Sequence, residues 1–272
     1  MAGLRAAIGF LTVLPVRVRG EDGLAASRMW FPFVGLLLGG LLAAADVLLR
    51  TGIRAGQGGP AALHGGPLIP LLLGTILVAL LAVLTRGLHL DGFMDTCDAL
   101  LGGFDPRRRL DILRDPHVGA FGMAGAVCLL LSKAITIGSL PVGSRTWVML
   151  VVPCISRWAV LLVMGRFPYV RSEGLGAPFV RAGGAARATI VGLAVTGAAV
   201  AALAGSLGLV LVAAGALVAL GVGAWATRLL GGVTGDIFGA VVESTEVIML
   251  VLAVFLTLGD GAALSPPPFA GI

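Results

Sequence analysis

Seven apolar runs of 17 to 22 residues recur along the chain, separated by short polar or glycine-rich breaks. They lie at about 30–49, 67–88, 120–140, 146–165, 188–204, 207–227 and 237–258. About 20 consecutive apolar residues, at a rise of about 1.5 Å each, cross the roughly 30 Å hydrocarbon core of a bilayer. With no water in that core, a segment must satisfy its own backbone, so each run reads as a helix. The expectation is an all-α, polytopic membrane bundle of about seven spans, forming a single domain over 1–272. Trp30 opens the first span and sits at headgroup level. Gly205-Ser206 leaves only a minimal turn between the fifth and sixth spans.

The breaks carry their own signals. The first 15 residues are apolar with one charge, Arg5, and are too short to span. They fit an interfacial or re-entrant helix better than a signal peptide, because the start is weakly charged and no small-residue cleavage site follows. A Gly/Pro/Ala loop joins the first two spans. Asp105-Pro106 reads as a helix N-terminus with proline in the first turn, which predicts a short surface helix over Arg107–Arg114. Residues 166–187 read as a loop, and the tail 259–272 with Pro266-Pro267-Pro268 as unstructured.

Composition agrees with the pattern. The chain is 58% hydrophobic and 12% charged, against about 25% charged in soluble domains. The basic balance, a formal charge of +5, comes from topology and needs no nucleic acid. With the N-terminus in the cytoplasm, 14 arginines fall inside and Arg50, Arg54 and Arg145 fall outside. That is a strong positive-inside bias for the cytoplasmic membrane of a bacterium. Cys97, Cys128 and Cys154 show no paired spacing, so neither a disulfide framework nor a zinc site is indicated. Cys97 reads as a small packing residue.

The polar segment 89–119 is the densest in chemistry. Six of the fourteen carboxylates lie between Asp91 and Asp115. On a helix Asp91, Asp95 and Asp98 fall within about 60° of one another on one face. Like charges so placed repel unless a cation joins them, and hard oxygen ligands suit Mg²⁺ or Mn²⁺. A solvated polar loop without chemistry explains the same spacing equally well. His89 lies about 160° from Asp91 and is a poor co-ligand. Within the spans, Lys133, Arg157, Glu243 and Glu246 must face the bundle interior or water. Asp236 and Glu243 share a helical face, as a second acidic wall or as part of an ion pair such as Arg157–Glu243. Asp46, near the outer end of the first span, reads as interfacial.

The run Gly87-Leu88-His89-Leu90-Asp91-Gly92-Phe93-Met94-Asp95-Thr96-Cys97-Asp98 resembles the signature of the cobalamin-5′-phosphate synthase family, also called adenosylcobinamide-GDP ribazoletransferase. The resemblance extends to Leu14-Pro15-Val16, Phe31 to Leu36, Arg114-Asp115, Gly119 to Gly122, Lys133 and Ser156-Arg157. It continues through Glu173 to Gly176, Thr234-Gly235-Asp236, Gly239-Ala240, Glu243 and Glu246, in the family's order. Ala99 and Arg86 depart from it, since the family often has glycine at both positions.

The resemblance implies a Mg²⁺-dependent transferase that joins adenosylcobinamide-GDP to α-ribazole or its 5′-phosphate and releases GMP. It implies metal ligation by Asp91, Asp95, Asp98 and Asp236, with Asp98 the foremost candidate for the base. Substrate contacts are implied for Arg114, Asp115, His117, Lys133, Arg157, Arg171, Glu173, Asp236, Glu243 and Glu246. The partners are then a corrinoid nucleotide, α-ribazole and the lipid bilayer; self-association into a homo-oligomer is left open. The acidic spacing also resembles the CDP-alcohol phosphotransferases, although their alanine-arginine pair and distal paired aspartates are missing. Buried charges of this kind also suit an ion-coupled transporter. No internal repeat supports that reading, and the densest acidic cluster lies at the cytoplasmic mouth rather than at mid-depth.

Overall fold

The computed structural model describes residues 2–16, 26–56, 68–171, 176–181 and 184–258. The helices run α1 Ala2–Leu11, α2 Phe31–Gly56, α3 Leu68–Leu84, α4 Leu88–Gly102 and α5 Pro106–Ile112. They continue as α6 Ala120–Ser139, α7 Val142–Arg166, α8 Ala177–Arg181, α9 Ala185–Leu230 and α10 Gly235–Leu258. Among the described residues there is no strand, only an isolated parallel bridge between Tyr169 and Val233.

Five helices, α2 (with the short turn before it), α6, α7, α9 and α10, are individually long and apolar enough to cross a membrane. The pair α3–α4 passes together but is bent by 94°. The expected class, a polytopic helical bundle, is what the chain forms. α9 is 46 residues long and departs from helical geometry at Gly205, φ 55° and ψ −140°. The chain reverses there, as two contacts show. The first half of α9 meets the end of α7 through Thr189, whose hydroxyl donates to the Leu161 carbonyl at 2.8 Å. The second half returns to the same end of α7, where Gly223 packs against the Phe167 ring. The two legs lie side by side, so Gly205-Ser206 is the turn that the sequence predicts, and only glycine enters that backbone region cheaply.

α7 is the axis of the bundle. Most of its residues are buried, from Arg145 to Met164. α2 lies against it at Gly35 and Gly39, where an added Cβ would run into the carbonyls of Pro153 and Met149. Close backbone approach of this kind is how helices gain packing energy in lipid, where tails compete for every apolar contact. α1 is drawn into the same core. Ala6, Ala7 and Leu11 are buried, and Phe10 stacks on Phe31 and tilts against Phe179. The N-terminal segment is thus a short helix, as expected from its length, with one face inside the protein.

The break between α3 and α4 is a left-handed cap. Arg86 and Gly87 have φ of 55° and 66°. The Gly87 N–H donates to the Ala82 carbonyl at 2.8 Å and the Arg86 N–H to Val83 at 3.0 Å, the paired bonds of a Schellman motif. Arg86 occupies the position where glycine is favoured, and its side chain donates to the Gly9 carbonyl at 3.1 Å. This cap ends α3 four residues before the expected limit of 88 and turns α4 across the end of the bundle. Two further expectations need correcting. The loop 166–187 contains the short helix α8, whose Phe179 is buried in the core. Asp46 is not interfacial: it is fully buried, accepting from Arg50 at 2.8 Å and from Arg145 at 3.2 Å.

Candidate active site

At the end of the bundle that carries α1 and α4, a cavity of about 300 Å³ opens between α4, α7, α10 and the segment around Tyr169. Its wall includes His89, Asp91, Arg157, Arg171 and Asp236, with Phe31, Phe179, Tyr169 and Phe238 among the apolar residues. Two glycines of its wall let α4 and α10 approach closely. Gly92 of α4 and Gly239 of α10 meet at a crossing so close that backbones touch. A Cβ on Gly92 would lie 2.8 Å from the Asp236 carbonyl, and one on Gly239 would lie 2.8 Å from the His89 carbonyl. This contact brings Asp91 and Asp95 of α4 beside Asp236 at the start of α10.

The charges at the mouth are unevenly balanced. Arg171 Nη1 pairs with Asp236 Oδ2 at 2.9 Å, and its Nη2 donates to the Leu113 carbonyl at 2.7 Å. That second bond ties the end of α5 to the cavity. Asp95 is partly buried, and its carboxyl is pushed up to about 7, by burial first and then by Asp91 and Asp236, with Arg171 opposing. Asp91 is exposed. By donor type, three anionic oxygen ligands in mutual repulsion fit a hard divalent cation. Among the described residues, however, no three acidic, histidine or cysteine side chains are gathered closely enough to hold a metal ion.

Asp98 stands apart from the expectation that it converges with Asp91 and Asp95. Its Oδ2 accepts from the Gly119 N–H at 2.7 Å and its Oδ1 from the Gly122 N–H at 2.8 Å. Gly119 is the N-cap of α6 and has no side chain to do this itself. Asp98 therefore caps α6 from a neighbouring helix, placing an anion at the positive end of its dipole. The aspartate spacing reads as one face, but the last member of that face meets a helix end. Cys97 fits its reading as a packing residue: burial, then the Asp98 charge, pushes its thiol up to about 11.

Deeper in, Lys133 of α6 donates to Glu243 at 2.5 Å and to Glu246 at 2.6 Å, both on α10. Arg157 of α7 pairs with Glu246, which also accepts from Ser156 Oγ at 3.1 Å. Two cations thus meet two carboxylates, which offsets most of the cost of burying them. Of this network only Arg157 reaches the cavity wall, so Lys133, Glu243 and Glu246 support the site from below.

Arg114, Asp115 and His117 are exposed and do not line the cavity; His117 Nδ1 lies 2.6 Å from Asp115 Oδ1. Asp105 caps α5 as predicted, accepting from the Arg107 and Arg108 N–H groups at 3.0 Å. Glu173 lies outside the described residues. Sequence reasoning missed the aromatic wall and His89. The rings sit at span ends, where aromatics ordinarily serve as interface anchors, and His89 carries no signal in the sequence because it lies off the aspartate face.

The family model described as cobalamin-5-phosphate synthase matches residues 3–254. An adenosylcobinamide-GDP ribazoletransferase of Synechococcus elongatus is 40% identical over 253 residues, covering 91% of this chain and 94% of the relative. Proteins of the same name from Chlorobium phaeobacteroides and Pseudomonas entomophila are 35% and 38% identical. These two cover 95% and 90% of this chain, and 99% and 95% of their own lengths. No solved structure matches it significantly. With most of its length covered by the family model and by these relatives, the chain belongs to the cobalamin-5-phosphate synthase family.

Proposed function

We propose that the chain joins adenosylcobinamide-GDP to α-ribazole, or to its 5′-phosphate, and releases GMP in a Mg²⁺- or Mn²⁺-dependent reaction. The observation that carries this reading is the cavity on which Asp91, Asp236, Arg171 and Arg157 meet. In the transfer a ribazole hydroxyl oxygen bonds to the phosphorus attached to the cobinamide arm. The bond from that phosphorus to the bridging oxygen breaks, and GMP leaves with that oxygen. Asp91, the exposed carboxylate on the cavity wall, suits the role of accepting the hydroxyl proton. Arg171, whose guanidinium edges the mouth, suits a phosphate by charge and planar geometry. Two carboxylates, Asp95 and Asp236, together with the pyrophosphate's own oxygens, would hold a divalent cation, which would neutralise charge growing on the pyrophosphate. Asp98 contributes by fixing the start of α6 against α4.

Seven crossings follow if α3 and both legs of α9 are counted. The arginine bias then supports a cytoplasmic mouth in a bacterial inner membrane. The test is GMP release by the purified protein from adenosylcobinamide-GDP, with α-ribazole or its 5′-phosphate as acceptor, across a Mg²⁺ titration. Release that requires both acceptor and cation is expected; release indifferent to the acceptor would rule out transfer.

A further inference from the structure

Arg171 is held at three points. The chain just before it is tied to the segment that leads into α10: the Val170 N–H donates to the Val233 carbonyl at 3.1 Å, and the Val233 N–H to the Pro168 carbonyl at 2.8 Å. Its guanidinium then bonds in two directions. Nη1 meets Asp236 Oδ2 at 2.9 Å, and Nη2 donates at 2.7 Å to the carbonyl of Leu113, a core residue at the end of α5. The Asp236 bond is the one that the proposed cation would contest. Both side chains keep some access to solvent, at 15% and 20% exposure, so the pair can part.

Geometry sets Arg171 and a cation against each other. Asp236 stands in the first turn of α10, and the Gly92–Gly239 crossing brings it beside Asp95. In the free protein Arg171 supplies the positive charge that this carboxylate pair needs, so it stands in for the ion. A divalent ion placed on Asp236 beside the guanidinium would crowd two positive centres onto one carboxylate, which costs free energy. Nor can the ion rely on side chains alone: among the described residues no third acidic, histidine or cysteine side chain joins these two closely enough. Mg²⁺ ordinarily combines one or two carboxylates with waters and substrate phosphates. A pyrophosphate would complete such a shell and also offer oxygens to a guanidinium that has lost its partner. A pair that merely pins Arg171 to α10 predicts the opposite sign, since breaking it would loosen the carboxylates and weaken cation binding.

We infer that Arg171 is the resident counter-cation of Asp236 and exchanges it for a phosphate oxygen when cation and pyrophosphate enter together. Nη2 stays on the Leu113 carbonyl as a pivot while Nη1 changes partner. The inference rests on the cation and pyrophosphate of the proposed transfer and adds an order of events to it. The cation alone binds weakly, and the cation with the nucleotide binds well.

The experiment uses the full-length protein in detergent, with Mn²⁺ as the probe and unbound Mn²⁺ read by electron paramagnetic resonance. Without nucleotide, Arg171→Gln should bind Mn²⁺ about tenfold more tightly than the wild type, a size usual for coupled sites. Arg114→Gln removes an exposed arginine that does not line the cavity, and should change the affinity by less than about twofold. At saturating Mn²⁺ the order reverses for GDP, followed by calorimetry: the wild type should bind it about tenfold more tightly than Arg171→Gln. Arg171→Lys keeps the charge and gives up one of the two bonds. Its Mn²⁺ affinity should fall between the other two, which covers the case in which the glutamine variant does not fold. Unchanged or weaker Mn²⁺ binding by the variants at position 171, or an equal gain from Arg114→Gln, would overturn the exchange. So would equal GDP affinity of wild type and variant at saturating Mn²⁺. Mn²⁺ binding by none of these proteins, with or without GDP, would remove the exchange together with the cation site. If Mn²⁺ and GDP behave as expected but no acceptor supports GMP release, the transfer reading fails and the exchange stands.

Discussion

The two buried ion networks of this protein make a useful pair. At one end, Asp46 is held by Arg50 and Arg145, and Arg145 also donates to the Gly138 and Leu140 carbonyls at 3.0 Å. Two cations share one carboxylate, and the excess positive charge faces the C-terminus of α6, where the helix dipole is negative. That network lines none of the described cavity. Near the other end, Lys133, Arg157, Glu243 and Glu246 balance two against two, and Arg157 forms part of a cavity wall. The difference separates a lock from a platform. A lock turns its charges on one another and on nearby carbonyls, whereas a platform reaches the wall of a cavity.

The largest effect should come from the open end. Asp91→Asn keeps shape and removes charge, so folding should survive while GMP release falls by roughly a thousandfold or more. Turnover near the wild-type level would break the contrast at once. At the closed end, Asp46→Asn strands two buried arginines and should cost about 3 kcal/mol of stability, read as a lower thermal midpoint in detergent. Turnover per folded molecule should stay within about twofold, since nothing there touches substrate.

Asp98→Asn sharpens the contrast within the aspartate face. As a cap its loss should cost about 1 kcal/mol and leave turnover far above that of Asp91→Asn. Equal collapse of both variants would return Asp98 to the chemistry.

Asp95 supplies a pH test. Its carboxyl holds a proton to about 7 in the folded protein against an ordinary 3.8. Between those values the folded state binds more protons than the unfolded, so without metal this group's contribution to stability falls as pH rises through that window. A divalent cation competes with the same proton. Mg²⁺ should therefore raise the thermal midpoint more at about pH 8 than at about pH 6; the reverse order would remove Asp95 from the cation set. The smallest effect concerns Arg86. Its left-handed backbone costs about 1 kcal/mol relative to glycine, less whatever its bond to Gly9 returns. Arg86→Gly should raise the thermal midpoint slightly, and a clear drop would mean that the side-chain bond dominates.

Much of this architecture was legible beforehand because lipid leaves a chain few options. Runs of apolar residues placed the spans to within about four positions at every end but one, since α2 runs on to Gly56 rather than stopping near 49, and Gly205-Ser206 and Asp105-Pro106 marked a reversal and a cap by local chemistry alone. The buried charges announced themselves, and Arg157 does meet one of the two glutamates of α10, Glu246. What escaped depends on contacts between distant segments. Nothing near Asp98 in sequence says that α6 begins with a glycine in need of a cap. Asp46 looked like an interface residue until Arg145, 99 positions away, closed over it. Helix α8 hid in a loop because five residues are too few to show a period. The aromatic wall gathers rings from four separate elements, and spacing along a chain carries no trace of that.

The Gly92–Gly239 crossing has a consequence for how such a chain can evolve. Most packed positions tolerate drift, because a neighbour can shrink when a residue grows. Here both partners are already the smallest residue available, and what they touch is main chain. A single methyl on either side has no compensating change to recruit, so the two positions are bound into one inherited unit. The spacing between the carboxylates of α4 and Asp236 is thereby shielded from gradual change, and variation in what the cavity receives has to be accommodated by its other walls.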